Sequence, residues 1–132
     1  MKKRLAVLVA LMLTMVMSIS VAMAEYKSEG SLSLPAASAS TKNAIANSKQ
    51  DGYSWTHGST NAYVSVETIA YYYNPYTEVY SSNSVPKASG SINASNDVPD
   101  LSGNNYYYKI KSTHTLHHDD DSASMVLTTF AP

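Results

Sequence analysis

The stretch Asn61-Ala62-Tyr63-Val64-Ser65-Val66-Glu67-Thr68-Ile69-Ala70-Tyr71-Tyr72-Tyr73 interleaves two sets of side chains. Ala62, Val64, Val66, Thr68, Ala70 and Tyr72 make one set, apolar apart from Thr68. Tyr63, Ser65, Glu67, Ile69, Tyr71 and Tyr73 make the other. A period of two is the signature of a half-buried strand, because successive side chains of an extended chain point to opposite faces. The first set is therefore assigned to a core.

Downstream, Asn74-Pro75-Tyr76-Thr77 reads as a turn, and Glu78–Ser82 as the strand that returns from it. Lys87–Ser95 holds a weaker strand around Ser91–Ala94, and Asn96–Asn105 reads as loop. Tyr106–Leu116 is a second clear strand. Tyr106, Tyr108, Ile110, Ser112, His114 and Leu116 share one face by strict alternation, and Tyr107, Lys109, Lys111, Thr113, Thr115 and His117 the other, solvated one. His118–Asp121 reads as a hairpin tip and Ser124–Phe130 as the last strand. Upstream, Tyr53–His57 reads as a short strand behind a turn at Lys49–Gly52, where glycine supplies backbone freedom. Ala36–Ile45 is open to two readings, a first strand or a linker. Glu25–Leu34 is polar and expected to be loosely held.

No window after residue 24 carries an apolar stripe at helical spacing. Strand and turn signals at this spacing predict an all-β fold: a small antiparallel β-sandwich of six or seven short strands, preceded by a helical signal peptide. The expected organisation is a signal at 1–24, a flexible segment at 25–35 and a single domain at 36–132.

The signal rests on a basic Met1-Lys2-Lys3-Arg4, an apolar run from Leu5 to Ile19, and small residues at Ala22 and Ala24. That A-x-A pattern places cleavage after Ala24 and predicts secretion to the extracellular space; an uncleaved anchor is disfavoured because the run is short for a spanning helix. Residues 25–132 then carry ten carboxylates and six lysines, with no arginine and no cysteine. An acidic chain without arginine lacks the basic patch that nucleic acid requires. It also lacks the cationic amphipathic face of a membrane-active helix, so no stable membrane insertion is expected. Disulfides and a lipoprotein anchor are both ruled out by the missing cysteine.

Catalytic motifs are missing as well. Neither a G-x-S-x-G elbow nor an H-E-x-x-H helix occurs, and nothing marks two carboxylates as facing each other. The chain is read as non-catalytic and free of cofactors. His114-x-x-His117-His118-Asp119 brings imidazoles near a carboxylate, but His114 and His117 point to opposite faces of a strand. His117, His118 and Asp119 stay as minor metal candidates, if the tip folds back on itself.

The most distinctive feature is tyrosine: eleven residues, against one Trp and one Phe. If the two clear strands are antiparallel neighbours, Tyr71-Tyr72-Tyr73 and Tyr106-Tyr107-Tyr108 lie at the same end, with Tyr76 beside them. The tyrosines then either take the place of Leu and Ile in packing or form an exposed cluster of Tyr71, Tyr73, Tyr76, Tyr106 and Tyr108. Such a cluster suits stacking on a sugar ring or docking on a protein, since tyrosine joins a large apolar area to a polar tip. The expected partner is an envelope, glycan or protein ligand. One reading is thus a carbohydrate- or wall-binding module, or a matrix component.

A further indication comes from Trp55-Thr56-His57-Gly58-Ser59-Thr60-Asn61-Ala62-Tyr63. This segment resembles the W-x-H-G…A-Y opening of the lactococcin-type secreted bacteriocins. The resemblance implies a small cysteine-free β-sandwich that acts on sensitive cells by interfering with wall synthesis through the precursor lipid II. It carries no individual functional residue over to this chain.

Overall fold

The computed structural model describes residues 25–132; the expected signal, with its cleavage pattern at Ala22 and Ala24, lies outside the described residues. Eight strands and no helix occur among the described residues: β1 Tyr26–Leu34, β2 Ala37–Ala46, β3 Asp51–Gly58, β4 Tyr63–Asn74, β5 Val79–Ser91, β6 Asn93–Asp97, β7 Tyr106–His118 and β8 Asp121–Phe130. They form two four-stranded antiparallel sheets, ordered β1-β2-β3-β6 and β5-β4-β7-β8. The sheets lie face to face, with β1 over β8, β2 over β7 and β6 over β4 and β5.

The alternation in 61–73 has its expected consequence. Ala62, Val64, Val66, Thr68 and Ala70 are buried between the sheets. The interior has two apolar clusters. One gathers Leu32, Ala37, Ala39, Val64, Val66 and Leu116, and the other Ile45, Ala70, Val98, Tyr107 and Ile110. Between them runs a polar belt of Thr41, Asn43, Thr56, Thr68, Asn96, Ser112 and His114, all buried. The belt is internally hydrogen-bonded, as burial of polar groups demands. Asn43 Nδ2 donates to the Leu127 carbonyl (3.0 Å), and Asn96 Nδ2 donates to the Val66 carbonyl (3.1 Å).

Three expectations need correction. Residues 25–35 are not a flexible lead-in: Tyr26–Leu34 pairs with β2 along its whole length, from Tyr26 opposite Ile45 to Leu34 opposite Ala37. Its inward positions are Ser28, Gly30, Leu32 and Leu34, too small and polar at first to show an apolar period. This extra strand raises the number from six or seven to eight, while the weak strand expected around Ser91–Ala94 is β6, Asn93–Asp97.

The second correction concerns the turn before β3. Its left-handed residues are Asn47, Ser48 and Lys49 (φ 48°, 54° and 69°), while Gly52 lies within β3. Gly52 is required by close approach instead: a Cβ there would stand 2.5 Å from Ile110 Cδ1 and 2.9 Å from the Ala44 carbonyl oxygen.

The third correction decides the functional geometry. Tyr71 pairs with Lys109, but Tyr72 pairs with Tyr107, so Tyr108 is an extra residue in β7. This β-bulge shifts the alternation by one step. Tyr107 therefore turns into the core, whereas Tyr106 and Tyr108, expected on the side of Ile110 and His114, turn outward. Tyr107 meets Tyr72 edge to face (6.0 Å, 88°). Its hydroxyl donates to the Pro99 carbonyl (2.6 Å) and accepts from Asn83 Nδ2 (3.1 Å). Burial raises the pKa of this phenol.

Candidate binding face

The outer surface of the β5-β4-β7-β8 sheet collects aromatic rings at one end. β4 brings Tyr71 and Tyr73 on its outward positions, and the bulge in β7 adds Tyr108. β5 supplies Tyr80, opposite Tyr73. Tyr108 sits at the centre, its ring 6.4 Å from that of Tyr71, 6.1 Å from Tyr73 and 5.8 Å from Tyr80. Tyr73 and Tyr80 stack at 5.7 Å with planes 19° apart. The Tyr108 contacts with Tyr73 and Tyr80 are edge to face, an arrangement favoured by the ring quadrupole. The cluster is thus a pre-set surface rather than a group of independent side chains.

The bulge has a second effect. Two consecutive residues, Tyr108 and Lys109, both project from the outer face, and the Lys109 ammonium sits 4.2 Å from the centre of the Tyr71 ring. Phe130 of β8 lies opposite Lys109 and is 63% exposed. Tyr80 is 68% exposed, while Tyr71, Tyr73 and Tyr108 are half-buried against one another.

The sequence-predicted tyrosines divide accordingly. Tyr71, Tyr73 and Tyr108 come together. Tyr106 lies opposite Tyr73 on the same face, beside the cluster and without a ring contact to it. Tyr76 stands apart at the tip of the β4–β5 turn, 79% exposed, where Asn74 Oδ1 accepts from its backbone N–H (2.9 Å). Tyr80 was missed. Its signal was available, because a hairpin closing on Asn74–Thr77 sets Tyr80 against Tyr73, and pairing by register would have found it.

The histidines do not gather. His117 pairs with Tyr63 and Ser122, at the far end of the sheet from the tyrosines. His118 Nδ1 lies 3.6 Å from Asp119 Oδ2. No group of three or more His, Asp or Glu side chains converges among the described residues. His114 lies inside the polar belt. Ser112 Oγ is 2.6 Å from its Nε2, the spacing of a nucleophile and its base, but both residues are sealed between the sheets and no substrate can reach them.

The segment Trp55–Tyr63 spans the end of β3 and the start of β4. Trp55 and His57 point outward from the first sheet and line a shallow depression with Asn93 and Ser95 of β6. On the same outer surface Lys42 Nζ donates to the Tyr53 hydroxyl (2.8 Å) and pairs with Glu25 (3.3 Å). The Tyr53 hydroxyl hydrogen-bonds the Glu25 carboxylate and lowers its pKa.

No protein-family model matches the chain, and no curated protein matches it in sequence. Among the described residues, no helix is long and apolar enough to cross a membrane.

Proposed function

We propose that this chain is a non-catalytic β-sandwich binding protein, secreted and acting outside the cell or at its envelope, and that its ligand is a glycan seated on the outer tyrosine face. The observation that carries this reading is the four-ring cluster of Tyr71, Tyr73, Tyr80 and Tyr108 on a rigid sheet. Sugar rings offer C–H faces to aromatic planes and hydroxyls to phenolic tips, and tyrosine supplies both. The rings already support one another, so little side-chain entropy is lost on docking. The exposed Ser82 and Ser84 flank the rings on β5 with further hydroxyls.

The test is retention of the exported protein on insoluble glycans, peptidoglycan among them. Tyr71→Ala and Tyr108→Ala are each expected to weaken binding about tenfold, the scale of a central aromatic anchor. Tyr76→Ala, away from the cluster, should bind as the parent does. Unchanged binding in both cluster variants sinks the reading.

A bacteriocin-like action is a second reading, favoured by one observation: Trp55 and His57 of the resembling segment face outward rather than into the core. They are thus free to meet a target at the envelope. It predicts growth inhibition of related strains by the purified protein, reduced by Trp55→Ala. Inactivity against a panel of such strains disposes of it.

A further inference from the structure

We infer that the glycan bound on the tyrosine face carries carboxylates, and that Lys109 and Lys111 receive them. This rests on the glycan reading above and adds the charge of the ligand. Both lysines occupy outward positions of β7, Lys109 between Tyr71 and Phe130 and Lys111 between Ile69 and Thr128 on the neighbouring strands. Positions two apart on one strand are about 7 Å apart. The line Tyr108, Lys109, Lys111 therefore leads from the rings directly into two cations.

The disposition of charge leaves these two cations available, as it does Lys49 and Lys87, but only these two stand beside the rings on the outer face of β7. Residues 25–132 hold ten carboxylates for six lysines, so unpaired lysines are not forced by composition. Lys27 is paired with Glu29 (3.5 Å) and Lys42 with Glu25 (3.3 Å). Lys109 and Lys111 have no carboxylate within ion-pair distance among the described residues. On the same face Glu67 lies opposite Thr113, beyond Lys111 and away from the rings, and at the ring end Glu78 sits in the β4–β5 turn, across the rings from both lysines. The Asp119–Asp121 run is at the far end of β7. In addition, the Tyr71 ring holds the Lys109 ammonium in place, leaving its outer side for an anion.

A stacking platform with lysines can also serve single-stranded nucleic acid. The excess of carboxylates and the lack of arginine in residues 25–132 disfavour that dense polyanion. Two lysines suit a sparser charge, one carboxylate per sugar at most.

The experiment compares ligands that differ only in charge. Calorimetric titration uses oligogalacturonate and hyaluronan oligomers, each against its methyl ester, with oligo-dT as the competing polyanion. The acid form should bind about tenfold tighter than the ester at low salt, with the advantage shrinking as salt rises. Lys111→Gln should shrink that advantage and leave ester binding intact, Lys109→Gln with Lys111→Gln should erase it, and Tyr71→Ala should weaken both forms. Equal binding of acid and ester that still depends on Tyr71 overturns the carboxylate inference and leaves the glycan reading standing. Binding of neither form, or binding indifferent to Tyr71→Ala, overturns both. Tighter binding of oligo-dT than of either acid reassigns the face to nucleic acid.

Discussion

His114 is a titratable side chain enclosed by neutral partners. Thr56 donates its hydroxyl to the Ser65 carbonyl (3.1 Å), and its Oγ1 lies 2.8 Å from His114 Nδ1. On the other side Ser112 Oγ stands 2.6 Å from Nε2 and donates to Asn43 Oδ1. Asn43 Oδ1 lies beside the same hydroxyl and adds no charge. Without a carboxylate to hold an imidazolium, burial decides, and it pushes His114 down to about 4. The unfolded ring takes up its proton near 6.5, the folded ring only near 4. Between those values the unfolded state binds more protons, so stability falls as the pH drops through that window. The loss reaches roughly 3 kcal/mol at its lower end, and the contribution is intact above 6.5. Urea midpoints at pH 7 and pH 4.5 should therefore diverge in the parent. His114→Gln, which cannot titrate, should show a flatter profile; equal slopes in the two proteins count against the assignment. That His114 faces inward was legible from the period of two, starting at Ile110. That its cage is neutral was not, because Asn43 and Thr56 come from distant strands.

At the scale of elements, the bulge in β7 separates what sequence could and could not give. The alternation of β4 is uninterrupted in its pairing with β7 until Tyr71, and its core face was readable residue by residue. In β7 the same reading holds from Ile110 to Leu116 and fails at the triplet, since all three residues there are tyrosine and any register looks alike. The structure chooses the register that buries Tyr107 against Tyr72 and satisfies its hydroxyl at Pro99 and Asn83. Deleting Tyr108 should then be tolerated. The ladder would run regularly from Tyr107 to Lys109 and the core would keep its residues. The expected cost is on the order of 1 kcal/mol, for the hydrogen bond from Ala131 N–H to the Tyr108 carbonyl (3.0 Å). Deleting Ile110 also removes the extra residue, but it turns Lys109 inward in place of Ile110 and should unfold the protein by burying an unpaired ammonium. Thermal melts of the two deletions check this, and the Tyr108 deletion should also lose glycan retention, having removed the centre of the ring cluster. Similar collapse of both deletions contradicts the bulge.

Across the whole molecule, β1 is the element that closes the two-sheet stack over β8, and it is the one that composition disguised. Its inward Gly30 reads as linker, yet it faces β8: a Cβ would stand 2.5 Å from Met125 Cε, the far end of a flexible side chain that would have to move aside. Ser28 Oγ donates across the sheets to the Thr128 carbonyl (3.0 Å), and Leu32 joins the same apolar cluster as Val64 and Leu116. Polar spacing and small residues thus conceal a strand whose ladder partner β2 follows directly, but whose packing partners on β8 lie about a hundred residues away, beyond the reach of any local pattern. The consequence is a domain that begins at Tyr26 rather than at residue 36. A chain starting at Ala36 loses the burial of Leu32, about 2 kcal/mol, and leaves the hydrogen-bonding edge of β2 unpaired. Against a total stability of about 5–15 kcal/mol for a domain of this size, that loss together with the missing ladder removes most of the margin. The shortened chain should bind a hydrophobic dye, melt without a cooperative transition and associate through the bared edge. The chain from Glu25 should melt cooperatively as a monomer. A shortened chain that melts within a few degrees of the longer one would return residues 25–35 to the role of a dispensable lead-in.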